Sequence, residues 1–262
     1  LPMIILYKYL GIILIPLIKL NVFFRIFQKK EDKARFSERY GITSLERPKG
    51  DVVWIHTASI GEFKSADLLI NLLCKNYTIL VTTTTLSAAN FASKNYAHKI
   101  IHQFAPLDIS LWVEKFLNKW RPKLVIWIES DLWPITMELL KQKSIKSLLV
   151  NVRMSPQSYK KWKIIKFFYK QMTECFSEIF AQSQLDRERI KTLTNRNIKF
   201  IGNLKLSSGS NIQQISLDKK LINFPKGRTL MLASTHENEE FQFLPTIKRL
   251  LLQVDDLKII IA

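Results

Sequence analysis

Cysteine is nearly absent from this chain: Cys74 and Cys175 are the only two in 262 residues, far apart and without metal-ligand spacing. That excludes a disulfide-stapled scaffold or a thiolate metal site, and both read as reduced core residues of a cytoplasmic protein. Histidine is scarce as well. His56, His98, His102 and His236 form no metal-binding pattern, and the carboxylates show no cluster suited to a divalent ion, so no metal is expected. Long uncharged apolar runs are also missing. In the most apolar segment, residues 1–27, the uncharged run between Lys8 and Lys19 covers residues 9–18, short of the ~20 residues of a spanning helix. No small-residue cleavage site precedes the charges that follow, which argues against a cleaved signal peptide. Nor does any recognised nucleic-acid-binding module occur, so the basic balance is not assigned to DNA or RNA.

What the chain has in excess is positive charge, 40 Lys and Arg against 22 Asp and Glu, a formal net charge of +18. Net charge gives the sign of the partner, here anionic, and not its identity. The N-terminal segment is followed by Arg25, Lys29, Lys30, Lys33, Arg35 and Arg39. A basic cluster beside an apolar helix suits the anionic cytoplasmic leaflet, so residues 1–27 are read as a membrane anchor helix, interfacial or signal-anchor. A buried N-terminal core helix has the same hydropathy.

From Asp51 onward, apolar runs near 52–56, 78–82, 99–104, 123–128, 146–150, 178–182 and 198–202 alternate with stretches long enough for crossover helices. This βαβ pattern predicts a parallel sheet covered on both faces. In such sheets ligands bind outside the carboxyl ends of the strands. Polar residues gather where those ends should lie: Glu62, Thr82 to Thr85, Glu129, Asn151, Arg153 and Lys205. The stretch VVWIHTASIGE is the centre of this pattern, an apolar strand breaking into small residues, with Ser59 and Gly61 offering backbone to a ligand and Glu62 opening a helix. Glu62 reads either as a first-turn glutamate favoured by the helix dipole or as a general base. The threonines read as β-branched strand ends or as hydroxyl contacts to a substrate. Trp112, Trp120, Trp127 and Trp133 read as packing rather than sugar platforms. The basic-aromatic stretch KKWKIIKFFYK at 160–170 fits an amphipathic helix with snorkelling lysines.

The strings WIHTASIGEFKSA, VTTTTLSAANFA, APLD, RPKLVIWIESDLWP, VNVRMSPQSYKKW, IGNLK and LASTHENEE stand in the order seen in the Kdo transferases of lipopolysaccharide synthesis, and the chain resembles that family over nearly its whole length. The resemblance implies a GT-B-like α/β architecture of two Rossmann-like domains and an inverting, metal-independent glycosyltransferase. It would move 3-deoxy-manno-octulosonic acid (Kdo) from CMP-Kdo, the donor substrate, to a lipid A precursor, with no cofactor. The place would be the cytoplasmic face of the inner membrane, against anionic lipid. By resemblance Glu62 is the general base, and Glu129 and Lys205 stabilise the transition state. Ser59, Gly61, Thr83, Arg153, Ser234, Thr235 and His236 are the expected substrate contacts. Two departures from the family stand out: Asp131 stands where a glutamate is usual, and Leu206 and Ser207 replace a Phe-Asp pair after Lys205.

After a polar linker over residues 207–227, the chain reads as βαβ from 228 to 262. The expected organisation is an anchor helix over 1–27, an acceptor-side Rossmann-like domain over 28–206, the linker, and the start of a truncated donor domain over 228–262. Two strands and a helix cannot cover their own apolar faces. The alternative reading is therefore a membrane-bound acceptor-domain fragment that lacks the nucleotide site and catalyses nothing.

Overall fold

The computed structural model describes residues 2–129, 131–207, 227–233 and 239–261, which fall into two units, residues 1–210 and 211–262. The first unit begins with two helices, α1 (Pro2–Ile13) and α2 (Ile15–Phe27), bent by 63° relative to each other. This corrects the expectation of one anchor helix over 1–27. Pro16, in the first turn of α2, has no N–H to donate to the preceding turn and its ring crowds the carbonyl there, so the helix restarts in a new direction. Among the described residues no single helix is long and apolar enough to cross a membrane.

A 3-10 turn (Phe36–Tyr40) leads into the sheet and is closed by Gly41 at φ 70°, where a Cβ would stand 2.1 Å from the Trp112 carbonyl oxygen. Only glycine fits there. The chain then runs β1 (Val52–His56), α3 (Ile60–Leu73), β2 (Thr78–Thr83), α4 (Leu86–Tyr96), β3 (Ile101–Phe104), α5 (Ser110–Trp120) and β4 (Leu124–Ile128). It continues through α6 (Pro134–Gln142), β5 (Lys146–Val152), α7 (Pro156–Ile164), α8 (Lys166–Thr173), β6 (Phe176–Ala181), α9 (Gln184–Thr194), β7 (Lys199–Phe200) and α10 (Leu204–Ser207). All seven strand runs expected from the sequence form strands, and every pairing among them is parallel, in the order β3-β2-β1-β4-β5-β6-β7.

Alternation along the strands sets the two faces of this sheet. Val52 and Trp54 join a core with Phe116, Leu140, Met172 and Leu193 from α5, α6, α8 and α9, whereas Val53 and Ile55 join Phe63, Ile70 and Ala92 from α3 and α4. Trp112, Trp120 and Trp127 are buried, as their packing role requires. Both cysteines are free and half-buried. Strand order reverses between β1 and β4, which pair directly with His56 opposite Trp127, so the crevice of a doubly wound sheet falls at their carboxyl ends.

The N-terminal helices lie at that same edge. Tyr7 of α1 bonds to Asp108, and Asp108 caps α6 through the amides of Ile135 and Thr136 at 3.0 and 2.8 Å. The basic stretch after α2 is less uniformly outward than the sequence suggests. Arg35 turns in to Glu38 and His102, and Arg39 is buried against Glu31. The second unit, taken by itself, is a βαβ: β8 (Thr229–Leu232), α11 (Glu239–Gln253) and β9 (Lys258–Ile261), the strands paired in parallel from Thr229 opposite Lys258.

Candidate functional site

The turn after β1 is held from both sides. Thr57 donates its amide to the Thr82 carbonyl at 2.9 Å, and Thr84 donates its hydroxyl to the Ala58 carbonyl at 2.7 Å. Ser59 caps α3 in extended conformation, its hydroxyl accepting the Glu62 amide at 3.4 Å. Glu62, three residues on, reaches back so that one carboxylate oxygen accepts the amide of Ala58, while the other lies 3.4 Å from the Ser59 hydroxyl. This is a capping-box arrangement shifted by one residue. The helix-end reading of Glu62 is therefore correct as geometry, and it also fixes the carboxylate in place.

Burial pushes the Glu62 carboxyl up to about 7, against the opposing pull of the Ala58 amide; the charges of Glu129 and Asp131 push it further in the same direction. A carboxyl poised near neutrality is equally able to take and to give a proton at physiological pH, which capping alone does not require.

Glu129 follows β4 across the switch point. Its backbone lies in the left-handed region at φ 65°, and its amide bonds to the Val150 carbonyl. Asn151, next to last in β5, is likewise at φ 59°. Two adjacent strands thus carry, at their carboxyl ends, non-glycine residues in a region that costs about 1–3 kcal/mol each. The conformation aims Glu129 at Lys205 of α10, with Oε1 and Nζ 2.7 Å apart. Asn151, fully buried, holds this pair's surroundings together: its side chain donates to Ser65 Oγ at 3.3 Å and accepts the Leu204 amide at 3.1 Å. Ser65 in turn contacts Glu129 Oε1 at 3.4 Å and the Gly61 carbonyl at 3.2 Å. Strands β4 and β5 and helices α3 and α10 therefore converge on one cluster.

Glu62, Glu129 and Lys205, expected from separate motifs, are brought together. Ser59 and Gly61 sit beside them; a Cβ on Gly61 would lie 3.7 Å from Lys205 Nζ, in ordinary contact. Arg153 is exposed in the loop after β5, on the same edge. Thr83 is a correction. Its side chain is fully buried, with its hydroxyl 2.9 Å from His102 Nε2, and it offers nothing to a ligand. Arg35 can only donate to His102 Nδ1, so Nε2 carries the proton, and burial keeps this ring neutral with its pKa lowered to about 3. The neighbouring threonines are also engaged: Thr82 with Trp54 and His56, Thr84 with Ala58, and Thr85 as the cap of α4. Ser234, Thr235 and His236 lie outside the described residues. Among the described residues no group of three or more His, Cys, Asp or Glu side chains is placed to hold a metal ion.

Ser65 is the residue that sequence reasoning misses, and Asn151, which it groups with the polar strand ends, receives no role there. The signal was available for both: an asparagine at a strand end tolerates positive φ, and Ser65 is one helical turn from Glu62 on the same face.

Electrostatic coupling within the cluster is open to test. Replacing Lys205 with Met would leave Glu129 uncompensated near Glu62, and like charge disfavours ionisation. The Glu62 titration in a carbon-detected NMR experiment should then move above about 7. An unchanged titration would show that Lys205 and Glu62 do not sense one another.

Comparison with known proteins gives three findings. Residues 34–208 match the model of a family described as 3-deoxy-D-manno-octulosonic-acid transferase (kdotransferase). A 3-deoxy-D-manno-octulosonic acid transferase of Rickettsia bellii is 36% identical over 98% of this chain and 62% of its own length, and one of Rickettsia prowazekii is 32% identical over 99% of this chain and 66% of its own. The chain thus spans just under two thirds of the length of these relatives. Among solved structures, a UDP-N-acetylglucosamine 2-epimerase of Listeria monocytogenes superposes with a TM-score of 0.59 at 11% identity, covering 80% of this chain and 61% of that one. That likeness speaks to the fold, which is of the GT-B-like α/β kind.

Proposed function

The chain belongs to the 3-deoxy-D-manno-octulosonic acid transferase family, and from that premise we propose that it forms the acceptor side of a glycosyltransferase moving Kdo from CMP-Kdo to a lipid A precursor. The observation that carries the reading is Glu62, a fixed carboxyl raised to about 7 at the β1/β4 switch point, facing the Glu129–Lys205 pair. In this reading Glu62 takes the proton of an acceptor hydroxyl as its oxygen bonds to the anomeric carbon. The electron pair of the broken carbon–oxygen bond leaves with the phosphate of CMP, and attack from the opposite side inverts the centre. Lys205, oriented by Glu129, lies where negative charge develops. Arg153 and the positive field of the chain suit the donor's carboxylate and phosphate. Ser59 and Gly61, with Ser234, Thr235 and His236, serve as substrate contacts, and residues 228–262 belong to the donor side. No metal or cofactor takes part, and nucleic acid is not a partner.

The same reading places the protein on the cytoplasmic face of the inner membrane, against anionic lipid. Supporting it is the outer face of α1 and α2, where Ile13, Leu20, Phe23 and Phe27 are exposed, flanked by Lys8, Lys19 and Lys29. A bent pair with that pattern suits the plane of the interface.

The test is transfer itself. The full gene product, given CMP-Kdo and a lipid A precursor, should release CMP and add Kdo to the lipid, read by mass spectrometry. Intact donor and unmodified lipid after prolonged incubation would overturn the reading.

A further inference from the structure

Between α2 and the carboxyl edge of the sheet lies a cavity of ≈ 450 Å³, within the range of roughly 300–1,000 Å³ usual for small-molecule sites. Its walls are mainly apolar: Leu14, Leu17, Ile18 and Val22 on the helix side, Leu107 and Trp133 on the sheet side. Arg25, Glu31 and Arg39 complete it. One carboxylate serves both guanidiniums here, Glu31 bonding Arg25 at 3.0 Å and Arg39 at 2.9 Å, so the polar part of the lining carries a net positive charge. Arg25 is also the more exposed of the two, 43% against 4% for the side chain.

The wall of the cavity is tied to the candidate site by hydrogen bonds and ring packing. Thr84 forms part of its wall, donates its hydroxyl to the Ala58 carbonyl, and Ala58 gives its amide to the Glu62 carboxylate. Trp133, on the same wall, packs edge-on against His56 at the end of β1, ring centroids 4.7 Å apart. On its other side the cavity is roofed by the helix whose outer face exposes Leu20, Phe23 and Phe27. An apolar slot with an excess of positive charge, bounded by an apolar surface helix and walled by a threonine that bonds the residue holding the Glu62 carboxylate, matches a ligand with an aliphatic chain and an anionic head.

Resting on the transfer reading above, we propose that this cavity holds one acyl chain of the acceptor glycolipid, with its phosphorylated sugar end at Arg25 and the candidate site. The slot would present a lipid hydroxyl to Glu62 directly from the membrane surface.

Binding can be read without turnover. A lipid A precursor carrying brominated acyl chains, dispersed in detergent, should quench the emission of Trp133, isolated as the difference between the parent and a Trp133→Phe variant. Leu17→Glu, at an exposed position of the wall, and Ile18→Phe, which fills the slot, should each weaken that quenching at least tenfold. Brominated phosphatidylglycerol should bind at least tenfold more weakly than the precursor. Absence of Trp133 quenching while the protein still transfers Kdo would overturn the acyl slot and leave the transfer reading standing. Quenching equal in parent and both variants would place the chain elsewhere. Equal affinity for the two lipids would make a membrane lipid the occupant and overturn the acceptor assignment. Quenching by the precursor in a protein that transfers nothing would overturn the transfer reading alone.

Discussion

Glu62→Gln in the full gene product is expected to lower turnover by about 100- to 10,000-fold, the usual cost of removing a positioned general base. Glutamine keeps the shape and can still accept the Ala58 amide that now holds the carboxylate, so the loss should appear in kcat with the fold intact. Two further readouts separate a base from a mere cap. The parent's rate should climb with pH and level off above about 7, because only the ionised carboxyl can take the acceptor's proton; the variant's residual rate should lose that limb. Stability should move the opposite way. A carboxyl whose folded pKa lies at about 7, above its ordinary 4.5, favours the fold while protonated and loses that contribution as pH rises through 7. Glu62→Gln should therefore be more stable than the parent at pH 8, on the order of 1–3 kcal/mol after allowing for partial solvent access, and no more stable at pH 4. A variant within a few-fold of the parent's turnover would remove Glu62 from the role. A variant equally stable at both pH values would mean that the carboxyl is solvated.

Much of this site was legible because strand order and motif order coincide. Apolar runs of five or six residues marked the strands, and in a doubly wound sheet their ends must converge, so Glu62, Glu129 and Lys205 could be grouped before any distance was known. What could not be read was direction. Thr83 stands at a strand end like Glu129, yet the pleat sends its side chain into the sheet's own packing, where its hydroxyl oxygen accepts the Nε2–H of His102. The bend between α1 and α2 was signalled by Pro16, but hydropathy weighs composition and is blind to the missing amide. Asn151 could be placed at the strand ends but given no task, because its work is done through backbone and neighbours, bonding Leu204 and Ser65, and pattern alone does not show partners 53 or 86 residues away.

Arg39 is the largest discrepancy of this kind, and it carries the largest expected effect on stability. By sequence it belongs to a basic cluster facing lipid. In the structure its guanidinium donates to Glu31 at 3.1 and 2.9 Å, to the Thr84 carbonyl at 2.6 Å and more weakly to the Ala105 carbonyl at 3.4 Å, and it lies 4.7 Å from the centre of the Phe104 ring. It thereby ties the segment after α2 to the carboxyl ends of β2 and β3, next to the turn that holds Glu62. Arg39→Ala would strip these bonds and strand the Glu31 carboxylate, only 6% exposed, with Arg25 as its remaining ion-pair partner among the described residues. Breaking a buried pair from one side costs about 3–5 kcal/mol, which for a unit of this size corresponds to a fall in Tm of roughly 6–20 °C. Replacing both members, Glu31→Met with Arg39→Met, removes the desolvated charges together and should recover most of the loss, since apolar packing of similar volume often equals a buried ion pair. High salt should leave the single variant's deficit nearly unchanged, because a pair this enclosed is poorly screened. Thermal unfolding followed by near-UV circular dichroism, at low and high salt, decides it: a single variant within 1 kcal/mol of the parent, or a double variant no better than the single, would show that the pair is open to water and that Arg39 faces outward after all.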